Sequence, residues 1–161
     1  MSKEIEGSLE ASGQKIAIIG ARFNEQITLR LVKGAVEALE NLGVTEDAVQ
    51  IFWVPGSFEI PLIAKSLALS KQFTSIICLG AVIKKETAHF EYVSTQMAAG
   101  IASVSLETQT PIIFGVLTTY NYPQALERSG GNQGNRGYDA AIAAIQMSNL
   151  ISEILQTYPE G

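Results

Sequence analysis

The sequence predicts an α/β protein in which a four-stranded parallel sheet lies between two layers of helices. One observation is a set of apolar runs that are nearly continuous in Ile, Val and Leu. Such runs are typical of strands that are buried on both faces, whereas half-exposed strands alternate. A second observation is that helical patterns separate these runs. Because strand and helix alternate along the chain, right-handed crossovers place helices on both faces of the sheet.

The strand signal lies in four short segments. Each is rich in branched apolar residues and is bounded by turn-forming or charged residues. The segments are Lys15–Ala21, Val49–Val54, Ser75–Ile83 and Pro111–Leu117. None approaches the roughly 20 consecutive apolar residues that span a bilayer, so we expect no membrane segment.

Apolar residues at helical spacing indicate the connecting helices. They recur through Ile27–Leu39 and again through Phe90–Val104. The segment Phe58–Leu69 predicts a shorter helix with Pro61 in its first turn, where a missing N–H costs no hydrogen bond. After the last strand, the predicted helices are Pro123–Arg128 and Tyr138–Leu155.

Length and composition narrow the classes of function. The 161 residues fit one domain with a single well-buried core. The formal net charge is −5 and no stripe of Lys or Arg is present, which argues against nucleic-acid binding. The chain has one cysteine, Cys78, and one histidine, His89. An internal disulfide, a Cys-rich zinc site and a His pair are therefore excluded, and any imidazole chemistry falls to His89.

The first residues differ in composition from the rest of the chain. Residues 1–13 are a mixture of charged and small residues and lack the apolar stretch of a secretory signal. We therefore expect a flexible N-terminal arm over residues 1–13 and a single domain over residues 14–161. A cytoplasmic location is the default expectation.

The carboxyl ends of parallel strands meet at one edge of a sheet, where α/β proteins gather their functional residues. The loops after the predicted strands contain an aromatic ring, Phe23, a carboxylate, Glu59, two cations, Lys84 and Lys85, and the imidazole of His89. Each of these residue types also has structural uses, for example a glutamate at a helix N-terminus. Their coincidence in these loops favours a ligand site.

A Gly- and Asn-rich segment, Arg128–Gly137, precedes the last predicted helix. Its glycines allow tight turns that expose N–H groups, and a helix N-terminus favours anions. Arg128 and Arg136 add charge-assisted donors. The segment therefore predicts either a local anion site or a plain connection, and its composition leaves both open.

Several common catalytic motifs are missing. The sequence contains no GxxxxGK[ST], no GxGxxG after the first strand and no GxSxG. The nucleotide-binding and serine-hydrolase interpretations therefore lose their main support. The triplet His89–Glu91 matches the H-x-E of zinc deaminases, but a single cysteine excludes the second half of that motif.

Five motifs, in order and mostly at strand ends, resemble the lumazine synthase family, whose full name is 6,7-dimethyl-8-ribityllumazine synthase. The resemblance covers nearly the whole chain, from about Lys15 to Leu155. It implies a flavodoxin-like three-layer α/β/α sandwich and an enzyme of riboflavin biosynthesis. The motifs are Ala21–Asn24, Val54–Pro61, Gly80–Ile83 with Glu86–Val93, Phe114–Thr118, and Gly134–Gly137.

The resemblance implies condensation of 5-amino-6-(D-ribitylamino)uracil with 3,4-dihydroxy-2-butanone 4-phosphate. Phosphate and water leave, and neither a metal nor a redox cofactor takes part. Protons move at every step, which suits an imidazole because it gains and loses a proton near neutral pH. Most of the acceleration is expected from holding both reactants together.

Carried over by position, the resemblance assigns roles to residues in each loop. Phe23 stacks on the pyrimidine and His89 transfers protons. Arg128 pairs with the phosphate and stabilises its departure. Phe114 matches a residue that the neighbouring subunit adds to the pocket. The other substrate-binding residues are Ser57, Phe58 and Glu59 for the ribityl chain, Ala81, Val82 and Ile83 for the pyrimidine edge, and Glu86 and Thr87 for the phosphate pocket.

This sequence departs from the family pattern near the expected phosphate pocket. Lys85 stands where glycine is common, and its charge either adds to anion binding or points to solvent. Asn132 stands where lysine is frequent, and Arg136 replaces another frequent lysine. These differences concern the geometry of the anion site and not the reaction.

The resemblance also implies an assembly. Family members form pentamers with active sites between neighbouring subunits, and some pentamers build shells of about sixty chains. The short Arg128–Gly137 connection is similar to that of shell-forming members. We therefore expect a homo-pentamer, with a shell and a riboflavin synthase partner as further expectations.

Two alternatives to the synthase remain. One is a catalytically silent member that binds a flavin or a lumazine, or that serves only as a shell protein. The retention of Phe23, Thr87, His89 and Arg128 argues against it, because a shell needs none of them. The other is a flavodoxin-like domain that binds a phosphorylated small molecule, which is all that fold-level analogy supports.

Overall fold

The computed structural model describes residues 1–160 and contains a four-stranded parallel sheet. The strands are β1 Ile16–Ala21, β2 Val49–Val54, β3 Ser75–Ile83 and β4 Ile112–Thr119. Their order in the sheet is β2-β1-β3-β4, and every neighbouring pair is parallel. Each predicted apolar run therefore forms a strand. The strand order reverses between β1 and β3, where an open parallel sheet leaves a crevice.

Five helices connect and flank the strands. They are α1 Glu25–Asn41, α2 Ile60–Leu69, α3 His89–Thr108, α4 Tyr122–Arg128 and α5 Arg136–Thr157. All five predicted helices are confirmed, although each begins one or two residues away from the predicted start. Among residues 1–160, no helix combines the length and the apolar character needed to cross a membrane.

The shifted starts of α2 and α5 have local causes. Phe58 and Glu59 belong to a 3₁₀ turn, Ser57–Glu59, so α2 proper begins at Ile60. The last helix begins at Arg136 and not at Tyr138. Asn135 caps it, because its side-chain oxygen accepts a hydrogen bond from the backbone N–H of Tyr138 at 3.1 Å.

The helices form two layers, which confirms the predicted three-layer α/β/α sandwich. α1 and α5 pack on one face of the sheet, and α2 and α3 pack on the other. Successive β1 residues alternate between the faces: Ile18 joins the α1–α5 core, and Ile19 joins the α2–α3 core. All of β1 is buried, whereas the edge strand β2 is partly exposed. This two-sided burial explains why β1 reads as a continuous apolar run.

The Gly-rich segment after α4 forms a small antiparallel hairpin, which the sequence did not predict. Its strands are β5 Ser129–Gly131 and β6 Gly134–Asn135. Gly130 and Gly134 have φ values of 111° and 78°, which strongly favour glycine. Arg30 of α1 holds the hairpin by donating from Nε to the carbonyl oxygen and the hydroxyl of Ser129, each at 3.1 Å.

Residues 1–13 contain neither a helix nor a strand. Gly7 is nevertheless buried, and a Cβ at this position would collide with the carbonyl oxygen of Gln146 on α5. The side chain of Asn149, also on α5, donates to the carbonyl oxygens of Ser8 and Glu10, each at 2.8 Å. Residues 7–10 therefore lie along α5, while the flexibility of the arm stays a prediction.

Candidate functional site

A cleft of about 650 Å³ lies at the carboxyl ends of β1, β2 and β3, the edge at which the sequence predicts a site. The loops after these strands and the first turn of α3 form its walls. The structure thus brings together residues from three separate segments of the chain. The predicted site residues that line it are Phe23, Ser57, Phe58, Glu59, Ala81, Val82, Ile83, Thr87 and His89.

Backbone hydrogen bonds place Phe23 in this cleft. The N–H of Arg22 donates to the carbonyl oxygen of Val54 at 2.8 Å, and that of Phe23 donates to Pro55 at 2.9 Å. Asn24 follows in a left-handed conformation, with a φ of 59°, and its side chain donates to the carbonyl oxygen of Ala81 at 2.8 Å. The loop after β1 is therefore tied to the ends of both neighbouring strands.

Three aromatic rings that line the cleft are exposed, and Tyr92 on α3 is 70% exposed. Phe23 is 62% exposed and Phe58 is 57% exposed. Large apolar side chains with this exposure are informative when they converge in a concavity. Their faces are available for stacking on a planar ligand.

The loop after β2 contributes polar groups. Ser57 is buried close to β3, since a Cβ on Gly80 would lie 2.9 Å from its Oγ. The carboxylate of Glu59 lies near Gly56, where an added Cβ would be 3.6 Å from Oε2. A hydroxyl and a carboxylate thus adjoin the aromatic rings, an arrangement that suits a ligand with both a ring and hydroxyl groups.

The loop after β3 leads directly into α3. The N–H of Lys84 donates to the carbonyl oxygen of Thr119 at 2.9 Å, which ties the start of the loop to β4. α3 begins at His89, and its N-cap, Ala88, makes no side-chain capping hydrogen bond. The N-terminus of a 20-residue helix therefore lies at the cleft beside Thr87 and His89, and such a terminus favours an anion.

Three predicted site residues lie outside the lining of this cleft. Glu86 is exposed, but only its neighbours on either side line the cleft. Phe114 of β4 is 46% exposed and lies in a separate groove of about 350 Å³ between β4 and α3. Arg128, at the end of α4, donates from Nη1 to the carbonyl oxygen of Gln124 at 3.2 Å and lies 3.7 Å from a carboxylate oxygen of Glu127.

Two side chains of opposite charge line the cleft. Glu59 and Lys85 bring opposite charges to the cleft from the ends of β2 and β3.

Cys78 lies deep in β3, where burial raises the pKa of its thiol, so it is inert. Within residues 1–160, no three His, Cys, Asp or Glu side chains are grouped so that they could hold a metal ion.

The sequence of the chain is similar to the sequences of one known protein family. The family model for 6,7-dimethyl-8-ribityllumazine synthase matches residues 13–152. The chain belongs to this family of enzymes. It is 52% identical over 152 residues to 6,7-dimethyl-8-ribityllumazine synthase of Clostridium kluyveri, which covers 94% of this chain and 99% of the relative. A second strain of the same species has a protein of the same name at the same identity.

Sequence reasoning on this lumazine synthase family member did not assign every residue that lines the cleft. Phe90 and Val93 belong to the predicted helical pattern and to the Glu86–Val93 motif without an assigned role, and they form a wall of the cleft. Phe90 and Val93 are three residues apart, so they share one face of α3, and this spacing was the signal that could have identified them. The other unassigned lining residues are Pro55, Gly56 and Tyr92, whereas Lys85 was already among the strand-end residues that favour a ligand site.

Proposed function

We propose that the chain condenses 5-amino-6-(D-ribitylamino)uracil with 3,4-dihydroxy-2-butanone 4-phosphate to form 6,7-dimethyl-8-ribityllumazine, the penultimate step of riboflavin biosynthesis. The observation that carries the proposal is the cleft in which Phe23, Glu59 and His89 converge from three loops. Membership of the family supports the same reaction.

The proposed pyrimidine site has a platform and an edge. Phe23 supplies an exposed ring face for stacking. β1 pairs with β3 only as far as the Gly20–Leu79 pair, so Ala81, Val82 and Ile83 extend beyond β1. Where a strand extends beyond its neighbour, its backbone N–H and C=O groups can hydrogen-bond to a planar ligand as they would to another strand. This supports a role for these residues in binding the pyrimidine edge.

The ribityl chain requires several hydrogen-bond partners. Ser57 and Glu59 supply a hydroxyl and a carboxylate oxygen pair at the end of β2, and Phe58 supplies an apolar surface beside them. A carboxylate accepts hydrogen bonds from hydroxyl groups more strongly than a neutral acceptor does. Glu59 is therefore proposed to bind the polyol.

The chemistry needs proton transfer and no change of oxidation state by an outside reagent. An amine nitrogen attacks the ketone carbon, and the carbinolamine then loses water to give an imine. Phosphate leaves as its C–O bond breaks, and the second amine closes the ring as another water is lost. His89 lines the cleft at the start of α3, where it can accept and return these protons. Holding both reactants in one cleft supplies the remaining acceleration.

We propose that Phe114 and Arg128 act in the cleft of a neighbouring subunit. Both lie outside the lining of the cleft in their own chain. Phe114 is 46% exposed on the edge strand β4, and Arg128 is at the end of α4. A homo-pentamer with shared sites accounts for both, and Glu86 and Thr87 belong to the same proposed phosphate pocket.

A shell of about sixty chains and a riboflavin synthase partner are further proposals from the family resemblance. The cytoplasmic location stays a prediction.

Mixing the pure protein with both substrates tests the reaction. We expect a fluorescent lumazine together with an equimolar amount of phosphate. Failure to form any lumazine would contradict the synthase and favour the catalytically silent alternative. A size measurement tests the assembly: a monomer would contradict the shared site, and a species of five subunits would contradict the shell.

A further inference from the structure

Lys85 carries a charge that the reaction described above does not use. It is the only Lys or Arg among the residues that line the cleft. Within residues 1–160, its ammonium group has no carboxylate partner within 4.0 Å, whereas the adjacent Lys84 pairs with Glu91 at 3.8 Å. An unpaired cation inside a concave site is available to an anionic ligand.

The Lys85 side chain lies near the ring of Phe23. Its Nζ lies 5.9 Å from the centroid of the Phe23 ring, which is within the range of a cation–π contact. Such a contact is weak at an exposed site, and the Phe23 ring is 62% exposed. An anion that enters the cleft can therefore draw the ammonium group away from the ring at little cost.

Other groups near Lys85 favour the same kind of ligand. The loop that carries it ends at the N-terminus of α3, which has no side-chain cap. Glu59, which repels anions, follows β2, and β1 lies between β2 and β3 in the sheet. Two strand spacings of about 5 Å each separate these two ends of the cleft. Lys85 and the N-terminus of α3 therefore favour an anion at one end of the cleft, and Glu59 favours hydroxyl groups at the other.

We propose that Lys85 binds the phosphate group of the phosphorylated substrate and adds to the affinity of the cleft for it. This inference rests on the proposed function for the identity of the substrate. In the absence of an anion the Lys85 ammonium lies 5.9 Å from the centroid of the Phe23 ring, and in its presence it pairs with the phosphate. Removing the charge therefore weakens the binding of phosphate but not the binding of the pyrimidine.

Binding of inorganic phosphate, measured by calorimetry, tests the contact without requiring any reaction. We expect Lys85→Gln, which removes the charge, to raise the dissociation constant about fivefold. Lys85→Arg, which keeps the charge, should change it by less than about twofold. Lys33→Gln is the matched control, because it removes the same charge from an exposed position on α1 away from the cleft. Equal affinity of Lys85→Gln and the unaltered protein would overturn the proposal.

Steady-state kinetics distinguish this inference from the proposed function. In Lys85→Gln we expect KM for the phosphorylated ketone to rise about fivefold, while KM for the pyrimidine stays unchanged. If KM for the pyrimidine falls instead, Lys85 merely competes for Phe23 and the proposal is wrong. If the unaltered protein makes no lumazine but its phosphate affinity depends on Lys85, the proposed function fails and the anion contact stands.

Discussion

The guanidinium group of Arg22 stacks on the indole ring of Trp53, with its central carbon 4.0 Å from the ring centroid. The indole also lies against Gly20, where an added Cβ would come within 2.7 Å of the ring. Arg22 forms an ion pair with Glu25 in the first turn of α1. Because Phe23 directly follows Arg22, the stack fixes the start of the loop that carries the exposed ring.

Replacing Arg22 by Gln should therefore weaken the binding of the pyrimidine. Loss of the stack leaves the loop less restricted, and an exposed cation–π contact contributes about 0.5–1 kcal/mol. We expect KM for the pyrimidine to rise about two- to fivefold, with little change in kcat. Glu25→Gln is the control, since it removes the ion pair but keeps the stack. An equal effect of both substitutions on KM would assign the role to the ion pair.

Replacing His89 by Ala should slow the reaction without abolishing it. The imidazole is proposed to move protons, but the cleft still holds both reactants together. We expect kcat to fall about 10- to 100-fold, at or below the lower end of the usual range for loss of a general acid or base. Initial rates of lumazine formation measure this effect, and circular dichroism checks the fold. A change of less than about twofold would remove His89 from the mechanism.

The proposed sharing of sites between subunits predicts complementation. Arg128→Ala should raise KM for the phosphorylated ketone, because a charge-assisted contact with the phosphate is lost. Co-assembly of this variant with His89→Ala should restore full sites wherever an intact His89 of one subunit meets an intact Arg128 of its neighbour. In random mixtures this occurs in roughly a quarter of the sites of a symmetric ring. Activity no greater than the average of the two separate variants would contradict sharing.

Replacing Gly80 by Ala should lower the stability of the fold. The added Cβ would lie 2.9 Å from Ser57 Oγ and 3.1 Å from the Cβ of Ala21, so the core must shift. We expect a loss of about 1–3 kcal/mol in the free energy of unfolding, measured by urea titration. Ser57→Ala in the same background should restore part of this stability, because it removes one of the two clashing atoms. Failure to restore any would place the strain at Ala21.

The buried thiol of Cys78 predicts a dependence of stability on alkaline pH. Burial raises its pKa in the folded chain above that in the unfolded chain. Its contribution to stability is therefore complete below about pH 8.5, the ordinary thiol value, and is lost as the pH rises beyond it. We expect the difference in unfolding free energy between the unaltered protein and Cys78→Ala to shrink between about pH 8 and pH 10. A constant difference would mean that the thiolate is tolerated in the core.

Most of the fold could be predicted from local patterns. β1 and β3 are buried on both faces, so their runs are continuous and easy to recognise. The start of α5 was harder to predict, because the capping hydrogen bond from the N–H of Tyr138 to the side chain of Asn135 depends on a loop conformation. The β5–β6 hairpin was not predicted, since its strands have only three and two residues and carry no apolar pattern.

Some residues of the candidate site were predictable from the sequence, and the contacts between them were not. The residue types at the strand ends identified Phe23, Glu59 and His89, because parallel strands must bring their carboxyl ends to one edge. The sequence alone did not show that Lys85 lies over Phe23, or that Arg22 stacks on Trp53 of the neighbouring strand. These contacts join residues that are distant in the chain, so they depend on strand order and register.

The sequence by itself determined the class of the fold, the edge of the sheet that carries the site and the lone imidazole available for proton transfer. These follow from periodicity and from residue type, which are local properties. Only the tertiary structure decided that Arg128 lies outside the cleft of its own chain and that an unpaired Lys85 lies within it. The order β2-β1-β3-β4 fixes which loops adjoin one another, and long-range packing sets that order.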